Sequence, residues 1–414
     1  MTHRIFLVLG AMLWLWQLSS ACTTAIISGK ATADGRPILW KHRDTRHTQN
    51  AIRYFSDGRY AYIGLVNAED KSGNEVWAGV NSAGFAIMNS VAYNLKSPTD
   101  TTQLQDMEGE IMKRALQNCA TLQDFEKLLD TLAKPLGVET NFGVIDAQGG
   151  AAYYETDNWS YRKLDVNDPS VAPFGFLVHS NFSFYGRPGE GHGYIRYRAA
   201  EQLLQKAVLE NQLNERFILQ QVSRELIHGL TGVNLWENLP DTSAQADYVC
   251  FRDFIPRHSS VSVFLVKGVQ PGENPLHTMA WTILGFPLTS VAYPLWLSAG
   301  DHIPGILSDQ GQAYAPLCHA ALQLKKRCFP ISAGSGRYYL NRTALINRQG
   351  TGILQHILQL ESYIFQRSAA VNRELIQNGP DTKKIARFYW ELDREIEKFY
   401  REKFKIALNG NESP

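Results

Sequence analysis

The chain is predicted to be an α+β protein in which two stacked antiparallel sheets are sandwiched by helices. Three features of the sequence lead there. Short strand-like segments follow one another across Gly and Asn turns, with no strand–helix–strand alternation. Two blocks of helical period interrupt the strands in the middle of the chain. The last 70 or so residues carry helical period only.

The elements follow in order. TTAIIS (23–28) reads as a strand, GKATADGRP as a turn centred on Asp34-Gly35, and ILWKHRD (38–44) as the returning strand. RYAYIGLVN (59–67), EVWAGVN (75–81) and GFAIMNSVAYN (84–94) are further strands. In 107–119 the residues Met107, Ile111, Ala115 and Leu116 recur at helical spacing. A second helix holds Leu122, Phe125, Leu128, Leu129 and Leu132, and Pro135 ends it. NFGVID and AAYYET make a hairpin around AQGG. Strands are predicted at 175–182, 260–269, 279–285 and 290–296, and helices at 195–208 and 215–228. Two amphipathic helices, 353–377 and 382–404, are broken by NGPD and form a hairpin on the main body. The tail LNGNESP is predicted to be disordered. The expected divisions are a leader (1–21), a catalytic domain (22–345) and a C-terminal helical hairpin with its tail (346–414).

The leader is the first functional statement. His3 and Arg4 precede an apolar run over residues 5–18, too short to span a bilayer comfortably, and Ser19 and Ala21 give a small-x-small exit. This predicts a cleaved signal peptide and an exported protein, periplasmic or extracellular, with no membrane span elsewhere. A net charge of +1 gives no reason to expect nucleic acid or an anionic membrane as partner. No metal motif, phosphate loop or Gly-x-Ser-x-Gly elbow occurs, so no metal or cofactor is expected. Apart from Cys22 there are four cysteines, Cys119, Cys250, Cys318 and Cys328. An even number in an exported chain permits disulfides, with Cys318 and Cys328 near enough in sequence to close a small loop; four buried thiols is the alternative.

Cys22 stands where the leader would be cut. It could be structural, or lipidated as in exported lipoproteins, although Ser19 occupies the place where such sites usually have leucine. Or the cut itself makes the catalyst. An N-terminal cysteine joins a thiol, pKa ~8.5, to an α-amine, pKa ~8, so nucleophile and base arrive on one residue.

The surrounding residues favour the third reading. CTTAIISGKATADGRPILWKHRD resembles the opening of the cysteine N-terminal-nucleophile (Ntn) hydrolases. That superfamily includes the choloylglycine hydrolases, with the bile salt hydrolases and penicillin V acylases, and the acyl-CoA:6-aminopenicillanic acid acyltransferases. The family's second strand ends in Arg-x-x-Asp; Asp44 matches the Asp, and Lys41 stands where Arg is expected. GVNSAGFAIMNS resembles the strand leading to an oxyanion-hole Asn, matched by Asn89, and FLVHSNFSF the segment with a second, matched by Asn181. YIRYRAAEQLL resembles the segment carrying a late active-site Arg, taken as Arg198 with Arg196 as the alternative.

The resemblance implies a four-layer αββα sandwich, here with a C-terminal helical extension. It implies Cys22 as nucleophile and Asp44 orienting the α-amine. Asn181 would face the oxyanion through its side chain, and Asn89 through its backbone N–H. Lys41 would favour the thiolate. The implied activity is hydrolysis of linear C–N amides of a small molecule, without cofactor, in a protein expected to be bacterial, whose homo-oligomeric state is open. Acyl transfer to another amine is the rival chemistry, and a Cys22-lipidated binding protein the rival of another class.

Overall fold

The computed structural model describes residues 21–408. Residues 1–20 of the expected leader, and 409–414 of the expected disordered tail, lie outside them.

Two antiparallel sheets face each other. The first has the order β10-β1-β2-β12-β13-β14. Its strands are β1 (Thr23–Ile27), β2 (Ile38–Asp44), β10 (Phe176–His179), β12 (Ser260–Lys267), β13 (Met279–Leu284) and β14 (Tyr293–Trp296). The second runs β3 to β9 in sequence order: β3 (Asn50–Phe55), β4 (Tyr62–Asn67), β5 (Ala78–Asn81), β6 (Ala86–Val91), β7 (Thr140–Ile145), β8 (Ala151–Thr156) and β9 (Tyr161–Asp165). A small ribbon pairs β11 (Tyr248–Cys250) with β15 (Tyr339–Asn341).

The sheets meet where β1 packs on β7 and β8, β2 on β6 and β7, and β12 on β5. Both faces of β1 and β2 are covered, so both strands are buried throughout. The apolar AII of β1 and ILW of β2 fill the core, whereas Thr23, Thr24 and the KHRD end of β2 carry polar and charged groups into buried positions. The closeness of the sheets shows at Gly143 of β7, where a Cβ would lie 3.0 Å from the Ile26 side chain of the facing sheet.

Helices cover the outer faces. α1 (Glu108–Asn118) packs on β5 and β6, and α2 (Leu122–Thr131) sets Phe125 edge-on against Phe142 and Tyr154. On the other side α3 (Tyr194–Leu209) crosses β1 and β10, and α5 (Pro316–Cys328) lies on β13. The short α4 (Glu215–Gln220) and α6 (Arg342–Leu345) connect them. α7 (Ile353–Asn378) and α8 (Thr382–Phe399) extend this layer: Phe365 packs on Trp281, and Phe388 on Trp296. The architecture is the αββα sandwich that the resemblance implies, with the C-terminal hairpin roofing the far strands of the first sheet.

Some local expectations are corrected. The helix expected over 215–228 stops at Gln220, and a single 3-10 turn follows at Val222–Arg224. All five cysteines are free thiols. Cys318 and Cys328 lie ten residues apart on the one helix α5, hence ~15 Å apart along its axis. That is beyond disulfide reach. No described helix is long and apolar enough to cross a membrane.

Candidate active site

The site forms at one end of the sandwich, where β1 begins and β2 and β6 end. Strand alternation sorts its residues. Thr24 bonds Tyr153 of the facing sheet, and Thr23 bonds Arg196 of the helix layer. Cys22, in phase with Thr24, turns its side chain between the sheets. On β2 the same alternation puts Lys41 and Arg43 between the sheets and Trp40, His42 and Asp44 towards the helices. Trp40 accordingly donates to Ser223, beyond α4. The β1–β2 register pairs Thr23 with His42, so one step further sets Cys22 opposite Arg43.

A cleft of about 120 Å³ opens here, lined by Cys22, Lys41, Arg43, Trp77 and Asn89, with Asp106 and Arg46 exposed at its mouth. Lys41 Nζ donates to the Trp77 carbonyl and to Asn89 Oδ1, both at 2.7 Å. Burial pulls its pKa down to about 8, opposed by the nearby Cys22 sulfur. Arg43 Nη1 donates to Asn50 Oδ1 at 2.8 Å and Asn67 Oδ1 at 2.9 Å, and its guanidinium lies 4.8 Å from the Trp77 ring centroid. Burial lowers Arg43 to about 10.

From the helix side Arg196 reaches in. Its Nη1 donates to the Cys22 carbonyl at 2.7 Å and Thr23 Oγ1 at 2.6 Å, and its Nη2 to Asn181 Oδ1 at 2.8 Å. Burial, then the charge of Arg257, lowers it to about 9. Gly193, at φ 83° before the first turn of α3, makes room: a Cβ there would lie 2.3 Å from Arg196 Nη2. Asn181 Nδ2 donates to the Val91 carbonyl at 2.8 Å, bridging the two sheets.

The predicted residues are thus largely brought together, with three differences. Arg196, not Arg198, meets Cys22; Arg198 sits two residues on, about 200° round the helix, and is exposed. Asn89 offers its side chain, with Oδ1 holding Lys41 and Nδ2 donating to Thr140 Oγ1 at 3.2 Å. The Asp44 carboxylate takes Arg257 Nε at 2.7 Å and Ser260 Oγ at 2.6 Å, while its main-chain carbonyl accepts the Ala21 N–H at 3.1 Å. Burial would raise Asp44, but Arg257, His42 and Arg196 hold it well below the carboxylate range. Sequence reasoning missed Arg257 and the cation–π stack of Arg43 on Trp77. Two buried histidines, His42 and His179, flank the site residues. His42 lies 3.6 Å from Asp44 with neither ring nitrogen hydrogen-bonded, and burial lowers His179 to about 3.

Together these groups give a thiol that shares its cleft with two cations, a carbonyl pinned by a third, and a side-chain amide bonded to that third cation. That set suits nucleophilic attack on a carbonyl. No candidate metal cluster occurs among the described residues.

No family model matches the chain, and no curated protein matches its sequence. Among solved structures it is similar to the Caenorhabditis elegans ortholog of N-acylethanolamine-hydrolyzing acid amidase. The TM-score is 0.39 at 15% identity, over 59% of this chain and 92% of that one. It is also similar to the Clostridium perfringens conjugated bile acid hydrolase (0.39, 10%, 67% and 92%) and the Agrobacterium tumefaciens penicillin V acylase (0.39, 10%, 67% and 86%). The chain's own strand order and layers define its fold; at these TM-scores the similarities add nothing to it.

Proposed function

We propose that the protein is an exported amide hydrolase of the cysteine N-terminal-nucleophile type, made active when cleavage after Ala21 frees the α-amine of Cys22. The carrying observation is Cys22 itself. It leads a central strand, turns its thiol into the cleft, and has its carbonyl held by Arg196.

In this reading the Cys22 thiol gives its proton to the α-amine, and Sγ attacks the amide carbon. The oxyanion takes the second hydrogen of Asn181 Nδ2, the first being spent on Val91. The C–N bond breaks as the α-ammonium protonates the leaving amine, giving a thioester. Water then attacks, with the α-amine as base, and frees the acid and the thiol. Lys41 and Arg43 favour the thiolate by charge. Asp44, clamped by Arg257 and Ser260, fixes the end of β2 from which its carbonyl faces the cleavage point.

The test compares protein beginning at Cys22 with protein that retains Ala21, at equal thiol titre. The retained residue turns the α-amine into an amide with no basic lone pair. Amide hydrolysis should fall ~10²–10⁴-fold, the usual worth of general acid–base assistance. Equal rates would end the reading, and so would a mature exported chain that starts elsewhere.

A further inference from the structure

A row of polar side chains crosses the second sheet beside the cleft. Ser90 pairs with Asn141, Asn141 with Glu155, and Glu155 with Arg162, so the four stand side by side on β6, β7, β8 and β9. Tyr153, two residues before Glu155 and on the same face of β8, bonds Thr24 of the first sheet. The row therefore looks between the sheets. Ser90, Asn141 and Glu155 are buried, and Arg162 is exposed on the edge strand. Polar groups buried in this way require hydrogen-bond partners.

The partner is the segment that follows Asn181. Asn141 Nδ2 donates to the Phe182 carbonyl at 3.2 Å, and its Oδ1 accepts Ser183 Oγ at 2.5 Å. Glu155 takes the next two residues: Oε1 accepts the Phe184 N–H at 2.6 Å, and Oε2 the Tyr185 N–H at 2.9 Å. The Arg162 guanidinium lies 4.4 Å from the Tyr185 ring centroid. From the loop after β6, Asn94 Oδ1 accepts the Ser183 N–H at 2.8 Å, and its Nδ2 donates to the Ser183 carbonyl at 3.0 Å. Residues 182–185 thus form a strap laid along the row, strand by strand.

Glu155 is the member whose burial is hardest to explain by packing. Burial raises its pKa, opposed by the N–H groups of Tyr185 and Phe184 and by Arg162. His179 on β10 lies 3.4 Å from Oε1, but burial lowers its pKa to about 3, so it is neutral and brings no countercharge. What a carboxylate supplies here is two acceptor oxygens for two successive N–H groups. A side-chain amide of the same shape supplies one.

Asn181 depends on this strap for its aim. Its backbone follows β10 in the first sheet, and its Nδ2 reaches the Val91 carbonyl at the end of β6 in the second. The direction of the remaining Nδ2 hydrogen is therefore set by how the two sheets are held together at this end, and residues 182–185 are tied across that gap. A misplacement of ~1 Å at a reacting centre costs on the order of 10²-fold in rate.

We infer that Glu155 is a positioning residue for the oxyanion donor: by gripping the N–H groups of Phe184 and Tyr185 it fixes the strap, and the strap fixes Asn181. The inference rests on the hydrolase reading and adds to the same site a residue that lies outside its cleft.

The test is a double-mutant cycle on protein that begins at Cys22. Glu155→Gln should lower kcat about tenfold and leave KM within about twofold, because the oxyanion forms only after substrate is bound. In protein that already carries Asn181→Ala, the same change should alter kcat by less than about twofold, since no donor remains to misplace. An unchanged kcat, an equal loss in both backgrounds or a loss confined to KM overturns the inference and leaves the hydrolase reading standing.

Hydrogen exchange gives a readout that needs no turnover. In the wild-type protein the N–H groups of Ser183, Phe184 and Tyr185 should open with the same free energy as those of Asn181 and His192, which bond each other's carbonyls. In Glu155→Gln all five should exchange faster together. Strap amides that exchange at least about tenfold faster than Asn181 in the wild-type protein would overturn the inference, whether or not the variant folds. If no amide is turned over, the hydrolase reading falls, and exchange alone decides whether the strap and Asn181 are one unit.

Discussion

Two regions of this molecule bury positive charge, and they do it in opposite ways. Near the C-terminal hairpin, Arg224 sends Nη1 and Nη2 to the two oxygens of Glu361 at 2.6 and 2.5 Å. Its remaining bonds go to the carbonyls of Pro287 and Ser290, and Glu361 also accepts the Ala292 N–H. Every group there has a partner of opposite charge or a hydrogen bond, and the pair ties α7 to the loop before β14. At the mouth of β1, Lys41 and Arg43 have neutral acceptors only. The first arrangement closes a structure. The second keeps a positive field directed at a thiol, and its burial cost is what makes that field useful.

The widest gap between the two regions should appear when one partner is removed. Glu361→Ala leaves Arg224 buried and uncompensated, and should destabilise the fold by ~3–5 kcal/mol. Denaturant unfolding would measure this as a lower midpoint. Arg224→Met combined with Glu361→Leu should recover most of the loss, because no stranded charge remains. A Glu361→Ala midpoint equal to wild type would remove the contrast.

How far the sequence reveals these regions depends on whether the partners are local. The β1–β2 hairpin, with its Asp-Gly turn and alternating residues, is legible, and it alone brings Lys41 to Cys22. The same alternation already puts Arg43 on the Lys41 face, a signal available in WKHRD but unused. Arg196 against Arg198 was also decidable. Arg196 precedes Ala199 and Ala200 by three and four residues and so shares the buried stripe, whereas Arg198 precedes Glu201 and Gln202. The strands β3 and β9 were missed, since charged and exposed residues break their pattern. α5 was missed despite Pro316 at its start and Leu317, Ala320, Ala321 and Leu324 in phase. Arg257 meets Asp44 across 213 residues. Only the fold brings such a pair together, and no spacing rule could find it. The same is true of Trp77 beneath Arg43.

A second variant sharpens the contrast with an effect of opposite sign. Lys41→Met removes a buried cation whose hydrogen bonds reach no anion. The fall of Lys41 from 10.5 to about 8 corresponds to about 3 kcal/mol of burial cost at neutral pH. Against this stand two carbonyl acceptors losing a donor, ~1–3 kcal/mol. The balance predicts a protein at least as stable as wild type at pH 7, yet poorer in turnover. The linkage sign gives a check. Between about pH 8 and 10.5 the unfolded chain holds a proton on Lys41 that the folded chain has released, so wild-type stability rises there with pH. Melting curves at pH 7 and 9.5 should show the Lys41→Met advantage shrinking. A variant several kcal/mol less stable at pH 7 would mean that Lys41 is structural, like Arg224.

The smallest effect is a shift of one limb in a pH profile, and it tells the two cations of the cleft apart. If the α-amine of Cys22 is the base, kcat/KM rises as that amine loses its proton, near its ordinary pKa of ~8. If Lys41 must stay charged to hold the thiolate, kcat/KM falls as Lys41 titrates at about 8. The wild-type enzyme should therefore show a narrow bell, low on both sides. Lys41→Arg cannot lose its charge in this range, so the rising limb should stay and the falling limb should move up, towards the value of about 10 to which burial lowers Arg43. One other group could draw a falling limb in the same place. Glu108, raised to about 8, gains a negative charge there and would offset the cations. Glu108→Gln separates the two: it should leave the falling limb where it is if Lys41 sets it, and remove it if Glu108 does. A limb that follows Glu108 and ignores Lys41→Arg would assign the pH-sensitive charge of the cleft to the carboxyl group, leaving Arg43 as the cation that holds the thiolate.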